Sequence, residues 1–269
     1  MSLREELIEG LWNGGITSPR MEAEIILRYA APNYPTYTAS ESEKAKEIMK
    51  RRINHEPMDK ILGFREFYKY TFKVTKDVLS PRPDTEILLE SALSAVDKNK
   101  PQTILDLGTG SGCILLSLLK ECQKAKGTGV DISEAALKVA SENAVNLAVA
   151  DRVEFINESW NDIDFSDQNY DIIVSNPPYI PSAEILTLEK EVKDNDPIVA
   201  LDGGKDGYKC YKDIAKLVPN ILKTNGYIFL EAGYGQAEEI SRIFVSFGLS
   251  EVATKSDLSG IKRCVILKK

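Results

Sequence analysis

The sequence predicts an α/β fold: an open, mostly parallel sheet with helices on both faces, one reversed strand at its end, and a small helical domain in front. Three observations carry this. Short apolar runs over 103–247 alternate with stretches of helical spacing, the pattern of strands buried on both faces. Asp106-Leu107-Gly108-Thr109-Gly110-Ser111-Gly112 sets a glycine-rich turn between the first of those strands and a helix. The last two apolar runs, 249–254 and 263–267, are joined by a loop holding Asp257 and Gly260. No helix fits between them, so the final strand must run antiparallel to its neighbour.

Along the chain, Leu7, Leu11, Ile25, Ile26, Leu27, Met49 and Ile53 have helical spacing, with breaks at Asn13-Gly14-Gly15 and Ala31-Pro32-Asn33-Tyr34-Pro35. From Phe64 the texture becomes aromatic and β-branched, and Phe67-Tyr68-Lys69-Tyr70-Thr71-Phe72-Lys73-Val74 alternates as a strand pair does. The expected organisation is a helical domain over 1–62, a β-hairpin linker over 63–80 and a larger domain over 81–269. After Ser80-Pro81-Arg82-Pro83 a helix starts near Asp84, a plausible N-cap, with Glu86 set against the helix dipole.

Strands follow at 103–107, ending at 128–131, and at 153–156, 171–175 and 227–231. Helices are expected from 113 to 119, 135 to 147 and 237 to 247. The stretch 180–207, with Asp194-Asn195-Asp196-Pro197 and Leu201-Asp202-Gly203-Gly204-Lys205-Asp206-Gly207, shows little periodicity. A loop of that length in a compact domain suggests one wall of a substrate groove.

With 269 residues the chain can bury at least one sizeable core, and 43% hydrophobic with 28% charged residues is ordinary for a globular protein. Lys+Arg 34 against Asp+Glu 41 gives a net charge of −7, the wrong sign for affinity built on phosphate neutralisation. Direct nucleic-acid binding is therefore not expected, and Lys44, Lys46, Lys50, Arg51 and Arg52 read as a solvated helix face. No apolar signal core or membrane-length run is present, which points to the cytoplasm. Cys113, Cys122, Cys210 and Cys264 lack the spacing of a zinc site and are expected as thiols. His55 is the sole histidine and reads as structural or exposed, so no metal and no histidine base is expected.

The glycine turn alone is weak as a signal. Its third glycine comes one residue earlier than in the dinucleotide pattern G-x-G-x-x-G, and an acid precedes the first glycine by two. Asp131, roughly twenty residues after Gly108 and at a strand end, can accept hydrogen bonds from ribose hydroxyls or cap the next helix. Ser133 is itself able to cap, which favours the first role. Ile132 would offer an apolar edge to adenine, and Trp160 either touches the adenine or packs in the core.

Asn176-Pro177-Pro178-Tyr179 follows an apolar, β-branched strand and so projects from the sheet's carboxyl edge, where open α/β sheets bind ligands. Two prolines could merely end a strand, but that needs neither the asparagine nor the tyrosine. A planar amide or exocyclic nitrogen is a poor nucleophile because its lone pair is delocalised. The Asn176 side-chain oxygen and the Pro177 carbonyl can each take one N–H, fixing that nitrogen and favouring lone-pair localisation. Tyr179 can pack flat against the planar group, Pro178 completes the binding motif, and alignment supplies most of the rest.

The run Asp106-Leu107-Gly108-Thr109-Gly110-Ser111-Gly112 resembles the first motif, D-x-G-x-G-x-G, of class I S-adenosylmethionine-dependent methyltransferases, whose Rossmann-like seven-stranded sheet has one antiparallel strand. This implies S-adenosyl-L-methionine as cofactor, S-adenosyl-L-homocysteine as product, and contacts from Gly108, Thr109, Gly110, Ser111, Gly112, Asp131, Ile132, Trp160 and Asn176. The N-P-P-Y motif looks like two families, N6-adenine DNA methyltransferases and protein glutamine N5-methyltransferases. Glu56-Pro57, Ile61-Leu62-Gly63-Phe64-Arg65-Glu66-Phe67 and Pro81-Arg82-Pro83-Asp84-Thr85-Glu86 resemble the release factor glutamine methyltransferases, over essentially the whole chain.

Asp84 and Asp196 stand where that family more often has Glu, which keeps the charge. The resemblance implies transfer to the side-chain nitrogen of the glutamine in the Gly-Gly-Gln motif of class 1 peptide-chain release factors. Asn176, Pro177 and Tyr179 would serve the chemistry, and the helical domain would dock the factor. A ribosomal-protein glutamine or a nucleic-acid nitrogen is the alternative acceptor.

Overall fold

The computed structural model describes residues 1–165 and 168–269. The chain divides into two compact units, 1–63 with 189–195, and 64–188 with 196–269. Among the described residues no helix is long and apolar enough to cross a membrane.

The smaller unit holds helices α1 (Leu3–Asn13), α2 (Pro19–Ala30), α3 (Ala39–Ile53) and α4 (Met58–Leu62). Ser2 and Thr38 open α1 and α3 with capping boxes, each hydroxyl taking the N–H three residues on while Glu5 or Glu41 reaches back. Leu3, Leu7 and Leu11 of α1 bury one stripe against Ala23, Ile26, Leu27, Ala45 and Ile48. The basic residues of α3 differ from expectation in one place. Lys46 and Arg51 pair with Glu6 and Glu56 at half-exposed positions, whereas Arg52 is buried and donates to Glu22 at 2.7 Å and Glu191 at 3.0 Å. Glu191 is why 189–195 belongs with these helices. Asn195 of the same segment donates to the His55 carbonyl at 3.1 Å.

The larger unit begins with the hairpin β1 (Phe64–Phe67) and β2 (Tyr70–Lys73), expected as a linker. It belongs instead to this unit's core, because Phe67 and Phe72 are buried against Leu88 and Leu89. Then come α5 (Thr85–Ala95), β3 (Thr103–Leu107), α6 (Cys113–Glu121), β4 (Lys126–Asp131), α7 (Glu134–Asn146), β5 (Val153–Asn157) and β6 (Tyr170–Ser175). The segment 180–207 carries 3-10 turns at Ile185–Thr187 and Ile198–Ala200 and the short helix α8 (Lys190–Lys193). The chain closes with α9 (Lys209–Ile221), β7 (Leu222–Glu231), α10 (Ala237–Ser246), β8 (Ser250–Ser256) and β9 (Lys262–Lys268).

The seven strands order as β5-β4-β3-β6-β7-β9-β8, with β9 antiparallel to both of its neighbours. This is the sheet of a class I S-adenosylmethionine-dependent methyltransferase fold. Its strands are buried on both faces. Ile104, Ile172, Val174 and Phe229 meet α5 and α6, while Leu105, Ile173, Ile228 and Leu230 meet α9 and α10.

Helix α9 has no counterpart in the sequence expectations, although Tyr211, Ile214, Ala215, Val218 and Ile221 mark its buried stripe. Pro219 near its end reads as a breaker. Asp84 does not cap α5: its own backbone is helical and its carboxylate pairs with Arg263 at 2.9 Å. Glu86 accepts the Tyr68 backbone N–H at 2.9 Å, joining α5 to the hairpin.

Candidate active site

At the carboxyl edge of the sheet β3 runs into the glycine turn and β6 into Asn176. The Ser175 hydroxyl donates to the Leu107 carbonyl at 2.6 Å, which ties the two strand ends together just before both motifs. Gly108, Gly110 and Gly112 have φ of 78°, 55° and 80°, the left-handed region that only glycine enters without strain. The turn is pinned from outside. Gly108 and Thr109 donate to the Val130 carbonyl at 2.9 and 3.0 Å, and Asn143 of α7 donates to the Ser111 carbonyl at 2.9 Å.

Two carboxylates flank the turn. Asp131 accepts the Gly110 N–H at 2.9 Å on one oxygen and the Ser133 N–H at 2.9 Å on the other. Burial raises its pKa against those hydrogen bonds. Capping of α7 falls to Ser133, whose hydroxyl takes the Ala136 N–H at 3.2 Å. Asp106 is buried, accepts the Thr109 hydroxyl at 2.8 Å and keeps its other oxygen without a partner among the described residues. Burial lifts its carboxyl to about 7, with the Asp131 charge adding to the rise.

A cleft of about 830 Å³, part of it open to solvent, gathers Gly108, Thr109, Gly110, Ser111, Asp131, Ile132, Trp160, Asn176 and Pro178 along one surface. Ile132 is 53% exposed on the rim, while the Trp160 indole N–H is buried without a partner among the described residues. Gly112, Pro177 and Tyr179 do not line this cleft. A Cβ on Gly112 would come within 2.8 Å of Leu116, so this glycine serves close packing of the turn on α6.

Pro177 is buried and Tyr179 half-buried beneath a brace from 202–207. A Cβ on Gly203 would lie 2.7 Å from the Tyr179 Cα, and one on Gly207 would lie 2.5 Å from the Tyr179 carbonyl oxygen. Gln236 also donates to that oxygen at 3.0 Å. Burial pushes the Tyr179 phenol up to about 12, so it stays neutral across the physiological range.

Residues 98–256 match the family model described as a methyltransferase domain. Over 265 residues the chain is 38% identical to the release factor glutamine methyltransferase of Caulobacter vibrioides, covering 95% of this chain and 91% of that protein. It is 42% identical to the release factor glutamine methyltransferase of Bradyrhizobium diazoefficiens, covering 86% and 79%. The chain belongs to the release factor glutamine methyltransferase family. The fold of this family member is shared with a methyltransferase from Pyrococcus furiosus, at a TM-score of 0.56 and 15% identity over 83% of this chain and 98% of the other.

Asp77, Val78, Val199 and Ala200, which no motif singled out, line the same cleft, as do Arg82 and Thr85 of the Pro81-to-Glu86 stretch. Arg82 donates to the buried Asp196 at 2.7 Å, which fixes the start of the 196–200 wall. Glu231, at the end of β7, is only 3% exposed, and burial raises its carboxyl to about 7 while Thr85 and Asn176 lower it. An acid closing the apolar run Tyr227-Ile228-Phe229-Leu230 was the available sequence signal for it.

Proposed function

We propose that this chain transfers the methyl group of S-adenosyl-L-methionine to the side-chain amide nitrogen (N5) of the glutamine in the Gly-Gly-Gln motif of class 1 peptide-chain release factors. The reaction would run in the cytoplasm and leave S-adenosyl-L-homocysteine. The observation that carries this reading is the single cleft in which the glycine turn, Asp131 and Asn176 face one another.

The residues suit such a cofactor. The glycine turn holds no lysine or arginine and has the Asp131 carboxylate beside it, while Arg82 of the same cleft is engaged by Asp196, which suits a cationic sulfonium and amino group better than a pyrophosphate. Asp131 is held by two backbone N–H groups and keeps lone pairs for ribose hydroxyls. Ile132 and Trp160 offer apolar faces to adenine, and the backbone of 108–112 lies beside the amino-acid end. Gly112 would act through the shape of the turn.

The cofactor supplies a methyl group already activated on sulfonium sulfur. The protein's task is alignment. Asn176 Oδ1 and the Pro177 carbonyl accept the two amide N–H bonds, hold the nitrogen in line and favour its lone pair pointing at the methyl carbon. Pro178 bounds the slot, and neutral Tyr179, which lies outside the lining of the cleft, would meet the amide plane from beside it without acting as a base. In the transfer the new nitrogen–carbon bond would form as the methyl carbon's bond to sulfur breaks, the electron pair staying on the thioether sulfur of S-adenosyl-L-homocysteine, and the surplus proton on nitrogen would pass to solvent. The smaller unit, with Trp12 and Met21 exposed, would dock the body of the release factor.

The test incubates the protein with methyl-labelled cofactor and, separately, a release factor, ribosomal protein and DNA, followed by mass-spectrometric mapping. Label on the Gly-Gly-Gln glutamine is the expected result. Label on DNA alone, or on a ribosomal protein alone, would overturn the reading.

A further inference from the structure

We propose that Gln236 is a positioning residue for methyl transfer: its side-chain amide fixes the Tyr179 end of the acceptor motif and so sets where the reacting nitrogen lies. The inference rests on the reading of Asn176-Pro177-Pro178-Tyr179 given above. It adds one residue that does not itself line the cleft.

The need arises in the motif. Pro177 and Pro178 have no N–H, so this segment cannot be anchored through its own donors as a strand is. It has to be held through its carbonyls, from outside. Gln236 Nε2 donates to the Tyr179 carbonyl at 3.0 Å, and Gln236 Oε1 accepts the Gly233 N–H at 3.1 Å. One side chain thereby ties the acceptor motif to the turn that follows β7. The next residue is held in the same manner: Ile180 donates to the Leu201 carbonyl at 3.0 Å and accepts the Gly203 N–H at 2.8 Å.

The amide has little room to move. Gln236 is buried, and a Cβ on Gly207 would lie 2.8 Å from its Nε2. A Cβ on Gly233 would lie 2.5 Å from its Oε1 and 3.0 Å from Cδ2 of the Tyr179 ring. Two glycines therefore press on the two ends of one carboxamide, and the ring packs on one of them. An amide supplies a donor at one end and an acceptor at the other, as this place requires. An ionised glutamate would set a second acceptor against the Tyr179 carbonyl, and methionine would fill the space with neither bond.

The bond falls on the main chain of Tyr179, two residues from the Pro177 carbonyl assigned to the substrate amide. Loosening it lets that slot shift, and misplacing reacting groups by about 1 Å can lower a rate on the order of 10²-fold. The glycine turn and Asp131 keep their own bonds, from Asn143 to Ser111 and from Gly110 to Asp131. The loss is therefore expected in kcat and not in cofactor affinity.

The experiment measures kcat and KM for a release factor, cofactor affinity by calorimetry and the urea midpoint. It compares wild type, Gln236→Met, Gln236→Glu, Gly233→Ala, Tyr179→Ala and the Tyr179→Ala/Gln236→Met pair, at a temperature where each is folded. Gln236→Met and Gln236→Glu are expected to lower kcat roughly tenfold or more, with KM and cofactor affinity within about threefold. In the Tyr179→Ala background Gln236→Met should lower kcat by less than about threefold, because the group it positions is already gone. Wild-type kcat in Gln236→Met would overturn the inference, as would a fall explained by lost cofactor affinity or the same fold-loss in both backgrounds. If neither Gln236 variant folds, Gly233→Ala decides, since its methyl group displaces Gln236 Oε1: an unchanged kcat there sinks the inference. A wild-type protein that methylates no glutamine overturns the functional reading itself, and this inference with it.

Discussion

The hydroxyl of Ser175 donates to the carbonyl oxygen of Leu107 at 2.6 Å, between the residue before the acceptor motif and the residue before the glycine turn. The glycine turn and the Asn176 motif therefore share one buried bond on adjacent parallel strands. Their spacing is fixed by β3 and β6 and not by loops. Replacing Ser175 by Ala removes the donor and strands a buried carbonyl, at about 1–3 kcal/mol. Chemical denaturation should show that loss, with kcat falling more than cofactor affinity; an unchanged midpoint and kcat would refute the coupling.

In the proposed reaction, Asn176→Ala deletes an acceptor for the glutamine amide. Removing one preorganised hydrogen-bond group of this kind costs roughly 10²–10³ in turnover. Methyl transfer should fall by that order while calorimetry finds cofactor affinity nearly intact. Complete loss of cofactor affinity would count against the assigned role.

Asp131→Ala should do the reverse. Its carboxylate is oriented by Gly110 and Ser133, and lost hydrogen bonds to a charged group cost about 1.5–3 kcal/mol. Cofactor affinity is expected to drop on the order of tenfold to a hundredfold. Wild-type affinity by calorimetry would sink the ribose assignment.

Asp106 makes stability depend on pH. Its folded pKa, about 7, lies above its ordinary value of 3.8, so folding favours the protonated acid. This contribution is complete below about 4 and is lost as pH rises through about 7, amounting to a few kcal/mol. Asp106→Asn keeps an acceptor for Thr109 without the charge. It should be more stable than wild type at pH 8, with the difference shrinking toward pH 5. An equal difference at both pH values, by thermal or urea unfolding, would show that burial of charge is not the cause.

The sequence made the core sheet and both motif-bearing strand ends legible because these depend on local pattern: apolar runs, left-handed glycines, and a connection too short for a crossover. Asp131 and Asn176 were visible by the same route, as polar residues ending buried strands. Glu231 also ends one, but its burial at 3% exposure is set by elements distant in sequence, which no spacing rule brings together. Gly112 looked like its neighbours in the motif, yet its neighbour in space is Leu116. Asp84 had the residue type of a cap and was claimed by Arg263 from the last strand. Helix α9 carries Pro219 two residues before its end, a residue that reads as a breaker and interrupts the stripe that marks the helix.

Arg52 draws one acceptor from Glu22 and another from Glu191, far along the chain. The smaller unit is therefore discontinuous in sequence, and no single cut releases it whole. A fragment ending at Gly63 would keep four helices and their apolar stripe but leave the Arg52 guanidinium short of a carboxylate. Gene fusions, truncations and domain exchanges made at the first boundary inherit that deficit, whereas exchanges that carry 189–195 along with the helices preserve the pairing.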